Sequence, residues 1–159
     1  MSAPSAGRAL GVDLGRRRIG VALSNSGRTM ASPYATLAAP GSGDDAEATA
    51  AALATLVEET AATVVVVGLP LSLDGRRGPA AEAAEAVAAA LSRRLGADGA
   101  PVVLHDERLT TVAAEQALAQ SGRRARHRRP VVDQAAATVL LQSWLDGQRA
   151  DRWRPVGAG

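Results

Sequence analysis

The sequence predicts an α/β domain built on a mixed five-stranded sheet, three antiparallel strands followed by two parallel ones, with helices on both faces. Three observations lead there. Residues 10–37 carry short apolar runs separated by turn signals, which is the pattern of consecutive hairpins. Residues 64–67 are four consecutive valines, a strand without alternation that must be covered on both faces. After residue 44, stretches with apolar residues at helical spacing alternate with strand candidates.

Leu10-Gly11-Val12-Asp13-Leu14 and Ile19-Gly20-Val21-Ala22-Leu23 flank a basic turn containing Gly15, and a second turn follows at Asn25-Ser26-Gly27. Met30 to Leu37 supplies a third strand, confined to an edge by Pro33, which cannot donate to a ladder. Asp44, with Glu47 three residues later, is the expected cap of a helix whose Ala50, Leu53, Ala54 and Val57 share a face and which ends near Thr60. Thr63 to Gly68 is the central, parallel-type strand. Leu69 to Gly78 reads as a loop with Pro70, Asp74-Gly75 and Gly78 in it. Ala84, Val87, Ala88, Leu91 and Leu95 then mark a second helix stopped by Gly96, and Pro101 to His105 reads as another buried strand, with His105 a strand-end residue rather than a general base. A short helix is expected over Thr111 to Ala119 and an exposed loop over Gly122 to Arg129. Pro130 suits the first turn of a last helix, where its missing N–H is no loss. In that helix Asp133, Ala137, Leu140, Leu141 and Trp144 fall on one stripe, so Asp133 stands at the N-terminal end of the core-facing side. The expected organisation is one domain over residues 8–149 with short tails at 1–7 and 150–159 and no internal repeat.

Composition narrows the chemistry. The 159 residues are 47% hydrophobic and 21% charged, which suits a chain that folds in water. No run approaches the roughly 18 apolar residues of a bilayer span, and Met1 to Gly7 lacks the basic-then-apolar layout of a signal peptide, so a cytoplasmic location and no membrane partner are expected. The absence of cysteine excludes disulfides, a thiolate zinc site and a cysteine nucleophile, and two histidines cannot build a histidine-rich metal site. Any metal must sit on carboxylates. With no Phe and 2% aromatic residues, the core is made of Val, Leu and Ala, and binding of single strands by aromatic stacking platforms is disfavoured.

Three acids stand out: Asp13 at the end of the first strand, Glu107 just past the last strand and Asp133 at the start of the last helix. Loops beyond the carboxyl ends of neighbouring parallel strands converge, so the first two can meet there, and the third can reach in from the helix packed alongside. Carboxylates about 4 Å apart repel by roughly 4 kcal/mol at an effective dielectric of about 20, unless a proton or cation intervenes. Oxygen-only ligation suits Mg²⁺ or Mn²⁺, and such ions support metal-assisted hydrolysis of phosphodiesters. Each acid also has a plainer reading: Asp13 shaping a hairpin turn, Glu107 pairing with a neighbouring arginine, Asp133 complementing the positive end of its helix. The Asp13 to Gly20 stretch also resembles the phosphate-binding hairpin of sugar kinases and actin-like ATPases, but such a kinase needs a second comparable half that this length does not supply. No P-loop, dinucleotide fingerprint or Ser-His-Asp signature is present.

Taken together, Gly11-Val12-Asp13-Leu14-Gly15-x-x-Arg18-Ile19-Gly20-Val21-Ala22, Val67-Gly68-Leu69-Pro70-Leu71 with Asp74-Gly75 and Gly78, Asp106-Glu107-Arg108-Leu109-Thr110-Thr111 and Val132-Asp133-Gln134-Ala135-Ala136-Ala137 resemble the YqgF/RuvX family of Holliday-junction-resolvase-like proteins, also described as pre-16S rRNA nucleases. The resemblance runs from about Leu10 to about Gly147. It implies an RNase H-like fold, with the family's catalytic, metal-holding acids at Asp13, Glu107 and Asp133. Two positions depart from the common pattern: Arg16-Arg17 stands where many relatives have a small residue then a basic one, and Pro130 stands where relatives often carry a basic residue. Related resolvases carry a fourth acid on the last helix, where this chain has Ala136 and Ala137, which implies a leaner metal site.

The formal charge is +2, unevenly spread: all 18 basic residues are arginine, and residues 1–75 sum to −2 while residues 76–159 sum to +4. Arg123, Arg124, Arg126, Arg128 and Arg129, with His127 among them, precede Asp133 and are candidates to hold a phosphate backbone, the alternative being a solvated loop. Arg16, Arg18, Arg76 and Arg108 are further candidates for substrate contact. The expected function is a Mg²⁺- or Mn²⁺-dependent nuclease acting on structured nucleic acid, with processing of the 5′ end of pre-16S rRNA implied by the resemblance. Resolution of four-way DNA junctions by a homodimer is the second reading and a non-catalytic binding module the third. The sequence leaves monomer and homodimer both open.

Overall fold

Five strands, β1 (Ala9–Leu14), β2 (Arg18–Ser24), β3 (Ala31–Ala38), β4 (Val64–Leu69) and β5 (Val102–Asp106), form one sheet in the order β3-β2-β1-β4-β5. The first three are antiparallel neighbours, and β4 and β5 add in parallel to β1. The computed structural model describes residues 7–39, 45–110 and 129–152. Asp44, the segment expected as a short helix at Thr111 to Ala119, and Arg123, Arg124, Arg126, His127 and Arg128 lie outside the described residues.

Strand alternation splits the core in two. Leu10, Val12, Ile19, Val21, Val65 and Val67 face α1 (Ala46–Thr60) and α2 (Pro79–Leu95), whereas Ala9, Ala22, Val64 and Val66 face α3 (Arg129–Arg152). This is the two-sided burial expected of the valine run. Asp45 caps α1, its carboxylate accepting from the Ala48 N–H at 2.9 Å. Glu47 is then free of capping duty and reaches Arg93 on α2 at 3.0 Å. Pro79 opens α2, and Gly96 closes it with a φ of +79°.

Pro33 lies on the edge strand as expected, and the pairing slips there: Ala22 faces Pro33 while Val21 faces Ala35, so β3 bulges by one residue at its proline. The strand expected to be buried at Pro101 to His105 is instead β5, the opposite edge of the sheet, and it is only half-buried, with Leu104 40% exposed. An apolar Val-Val-Leu run does not distinguish a central strand from an edge one, because that choice depends on whether another strand follows in space.

The last helix begins at Arg129, with Pro130 in its first turn. Ala137, Leu140, Leu141 and Leu145 are its buried residues, and Trp144 packs at the margin of the same cluster. Gly11 brings this helix against the sheet: a Cβ there would lie 2.7 Å from the Leu141 Cβ.

Candidate active site

Alternation along β1 puts Asp13 on the same face as Ala9 and Gly11, the face covered by α3, at the carboxyl end of the strand. Glu107 opens a short 3₁₀ turn, Glu107–Thr110, directly after β5. Between β1 and β5 lies β4, so Glu107 must cross a strand to reach Asp13. It crosses at Gly68: a Cβ built on Gly68 would fall inside contact distance of the Glu107 Oε1 and 3.1 Å from its Cδ, so the missing side chain is the slot in which the carboxyl group lies. The Glu107 carboxyl then shares a hydrogen bond with Asp13.

Two acids forced together in a partly dry site cannot both ionise freely. Burial, then the hydrogen bond to Asp13, then the charges of Asp13 and Asp106 push the Glu107 carboxyl up from about 4.5 to about 8. A proton therefore sits in the pair at neutral pH in the absence of any cation. The surface-arginine reading of Glu107 does not hold, because the neighbouring Arg108 is taken by Asp106 instead, its Nε 2.9 Å and its Nη2 2.6 Å from the Asp106 Oδ2. That fork holds the Asp106 carboxyl below the usual carboxylate range.

The pairing has a consequence for stability. Glu107 has a raised value in the fold, so its contribution is fully present below about pH 4.5 and is lost as pH rises through about 8. His105 works in the opposite sense. Its ring faces Ser143 of α3 at 3.1 Å, and burial lowers its pKa below 6.5, so it destabilises the fold only under acid conditions. Among the described residues, Glu107 is the group with a shifted value that titrates between pH 7 and 8. Metal-free protein is expected to lose stability by up to about 1.4 kcal/mol per pH unit between pH 7 and 8. Thermal melts in chelator check this, and Glu107→Gln is expected to flatten the slope.

The third acid, Asp133, lies in the first turns of α3, and its side chain is outside the described residues. The helix that carries it is bonded to the β3 side of the sheet. The neighbouring Gln134 donates from Nε2 to the Thr36 Oγ1 at 2.9 Å, and Thr36, Gly20 and Asp13 form one row across β3, β2 and β1. Two turns later Gln142 accepts from the Ala31 N–H at 2.9 Å and donates to the Thr29 carbonyl at 3.1 Å. These two glutamines hold α3 antiparallel to β3, with the helix start over the Asp13 row. Neither Gln134 nor Thr36 stands out in the sequence as functional, since an isolated Gln and Thr 98 residues apart carry no local signal. Gly68 did carry one, as a glycine ending a valine strand, which marks a close approach.

The arginine candidates divide. Arg16 is exposed in the turn after β1, which the Gly15 N–H closes onto the Arg18 carbonyl at 2.9 Å, and Arg18 is exposed at the start of β2. Arg16 also lines an open cavity of about 460 Å³ with Leu14, Asp45 and Glu82, on the sheet face opposite Asp13. Arg76 pairs with Asp74 at 3.0 Å in a solvent-exposed contact, and Arg108 with Asp106. Exposed pairs of this kind are weak because water screens both charges, so Arg76 can exchange its partner for a phosphate at little cost. Arg129 is the first residue of α3, and nothing is described of its side chain. Among the described residues no group of three metal-ligating side chains is assembled, the described part of the site being the Asp13–Glu107 pair.

Known proteins resemble this chain in sequence and in fold. A sequence model of the family described as RuvX, Holliday junction resolvase, matches residues 7–147. A Rhodococcus opacus protein named "Putative pre-16S rRNA nuclease" is 46% identical over 157 residues, covering 98% of this chain and 84% of its own. Among solved structures, the yeast mitochondrial Holliday junction resolvase superposes with a TM-score of 0.62 at 12% identity, covering 94% of this chain and 82% of that one. Thermus thermophilus RuvC in complex with a Holliday junction substrate gives 0.58 at 15% identity over 91% and 96%. These two likenesses establish an RNase H-like fold. Among the described residues no helix is long and apolar enough to cross a membrane.

Proposed function

Because the chain belongs to the RuvX family, we propose that it is a nuclease that hydrolyses phosphodiester bonds in structured nucleic acid with Mg²⁺ or Mn²⁺ held by Asp13, Glu107 and Asp133, and that its role is processing of the 5′ end of pre-16S rRNA. The observation that carries this reading is the Asp13–Glu107 pair, set by Gly68 at the carboxyl edge of the sheet and sharing a proton when no cation is there. A site that must hold either a proton or a cation, with only carboxylate oxygens as donors, fits a hard divalent ion. When bound, that ion supplies the positive charge that activates a water and stabilises the leaving oxygen.

The remaining work falls to the chain. Asp13 and Glu107 fix two oxygens on the sheet, and Asp133 adds a third from α3, whose start Gln134 and Thr36 hold over the same row. In the reaction a water oxygen bonds to phosphorus as the P–O bond to the leaving oxygen breaks. The arginines of residues 123–129, which precede Asp133 in the sequence, are the candidates to contact the phosphate backbone. Replacing Arg123, Arg124 and Arg126 together by Ala is expected to lower the slope of log affinity against log salt by about 2 to 3, read by anisotropy of labelled RNA between low and moderate salt. An unchanged slope returns that stretch to a merely solvated one.

The family description favours a second reading, four-way junction resolution, which requires a two-fold dimer presenting two sites to symmetric strands. Cleavage rates on a precursor-like structured RNA, a linear duplex and a four-way DNA junction decide between them. Faster cutting of the RNA supports the rRNA role. Faster cutting of the junction, with two copies bound per junction, supports resolution.

A further inference from the structure

Glu107 reaches Asp13 with a long, flexible side chain, and the slot at Gly68 holds only its far end. The direction in which that side chain leaves the backbone has to be set elsewhere. The 3₁₀ turn that carries it, Glu107–Thr110, is too short to be well bonded in itself.

The setting lies one residue upstream. Asp106 ends β5, opposite Leu69 in the parallel ladder. The preceding His105 bonds Ser143 of α3, so alternation sends Asp106 to the other face of the strand and returns Glu107 to the face of Asp13. There the Asp106 carboxylate turns back onto the chain. Its Oδ1 accepts from the Arg108 backbone N–H at 2.9 Å, the kind of bond by which an Asp caps the start of a helical turn. The Arg108 guanidinium closes on the same carboxylate, its Nε 3.1 Å from Oδ1 and 2.9 Å from Oδ2, and its Nη2 2.6 Å from Oδ2. One carboxylate thus grips both the main chain and the side chain of residue 108, and residue 107 is bracketed between them.

The guanidinium is also placed from its far side. Gly75 has a φ of +86°, and a Cβ there would lie 3.5 Å from the Arg108 Nη1, so the turn after β4 passes beside it. The Asp106 side chain is 23% exposed, against 56% for Asp74 in its pair with Arg76. Less water reaches this fork, so Arg108 is more firmly held than Arg76 and better suited to a brace than to a mobile phosphate contact.

Resting on the nuclease reading above, we propose that Asp106 and Arg108 are positioning residues: the fork between them locks the turn from which Glu107 crosses Gly68 to meet Asp13, so that a divalent ion finds these oxygens already placed. Groups that orient a metal ligand in this way typically contribute about 10–100-fold to metal affinity or activity.

The test measures binding of Mn²⁺ to RNA-free protein by electron paramagnetic resonance of the free ion, beside kcat and KM on structured RNA at saturating Mn²⁺ and RNA affinity by anisotropy. Asp106→Ala and Arg108→Ala are each expected to raise the Kd for Mn²⁺ and to lower kcat by about tenfold, with KM and RNA affinity at parental values. The double substitution is expected to cost no more than either single one, because the two side chains act as a unit. Asp106→Asn, whose amide oxygen can still accept from the Arg108 N–H, is expected to recover part of both losses. A smaller folded fraction lowers the number of Mn²⁺ sites and leaves their Kd alone, so the Kd reports positioning even in a variant that folds poorly. Parental Mn²⁺ affinity in Asp106→Ala, or loss of RNA affinity with parental Mn²⁺ affinity in Arg108→Ala, overturns the proposal and leaves the nuclease reading standing. A parent protein that neither binds Mn²⁺ nor cuts RNA overturns that reading and the proposal with it.

Discussion

Asp13→Asn is expected to cut structured RNA on the order of a thousandfold more slowly than the parent in Mn²⁺, while melting at a higher temperature than the parent in chelator. The two effects have one cause. Asp13 brings a negative charge to a place where Glu107 is already pushed up to about 8 by burial and by Asp13 itself. Asn keeps the shape and can donate its amide to the Glu107 carboxylate, so the repulsion disappears and the fold gains. The same change removes an oxygen ligand and with it the attraction for a divalent ion, so the thermal stabilisation that millimolar Mn²⁺ gives the parent should vanish as well. Opposite movement of stability and activity is what separates a functional acid from a structural one. If Asp13 merely shaped its hairpin, the substitution would lower the melting temperature and leave cleavage alone.

Gly68→Ala is expected to act on the other partner without touching any charge. The added methyl overlaps the Glu107 carboxyl, which has β4 beneath it, so Glu107 must leave the slot. Overpacking of this kind costs about 1–3 kcal/mol. Moving a reacting group by about 1 Å costs on the order of a hundredfold in rate, which is the loss expected in kcat. The displaced carboxyl also escapes Asp13, so the proton taken up near pH 8 should be released at lower pH, a change visible in the pH dependence of melting. Gly78→Ala is the control, since a Cβ there meets nothing within 4 Å. A Gly68→Ala protein with parental kcat would show that Glu107 does not act from this slot.

Much of this architecture is legible in the residues themselves, and what is not has a physical reason. The valine run announces a strand covered on both faces, and Pro33 announces an edge, because burial and hydrogen-bonding capacity are local properties of the residue. The cap of α1 falls on Asp45, one residue after the expected Asp44, a shift that leaves the helix unchanged because adjacent Asp residues can both cap. The status of β5 was not legible, since an apolar strand looks the same at the edge as in the middle until its neighbours are placed. Asp13 and Glu107 were legible as a pair, because the carboxyl ends of neighbouring parallel strands converge. How they meet was not. The route over Gly68 depends on two residues far apart in sequence packing as slot and occupant, and the anchoring of α3 depends on Gln134 finding Thr36 across the fold. Arg108 next to Glu107 suggested an ion pair with it, yet the shorter, differently aimed Asp106 takes the guanidinium. Only the three-dimensional arrangement decides which of two adjacent acids an arginine selects.

That the acids at the carboxyl edge of the sheet hold a divalent ion and cut phosphodiester bonds is tested most directly by the cleavage of end-labelled structured RNA. The parent protein is assayed in Mn²⁺ and in chelator, with Asp13→Asn run alongside. Discrete products are expected from the parent in Mn²⁺ alone, and none from the substituted protein under either condition. Equal cleavage with and without metal, or by both proteins, would contradict a metal-dependent site built on these acids.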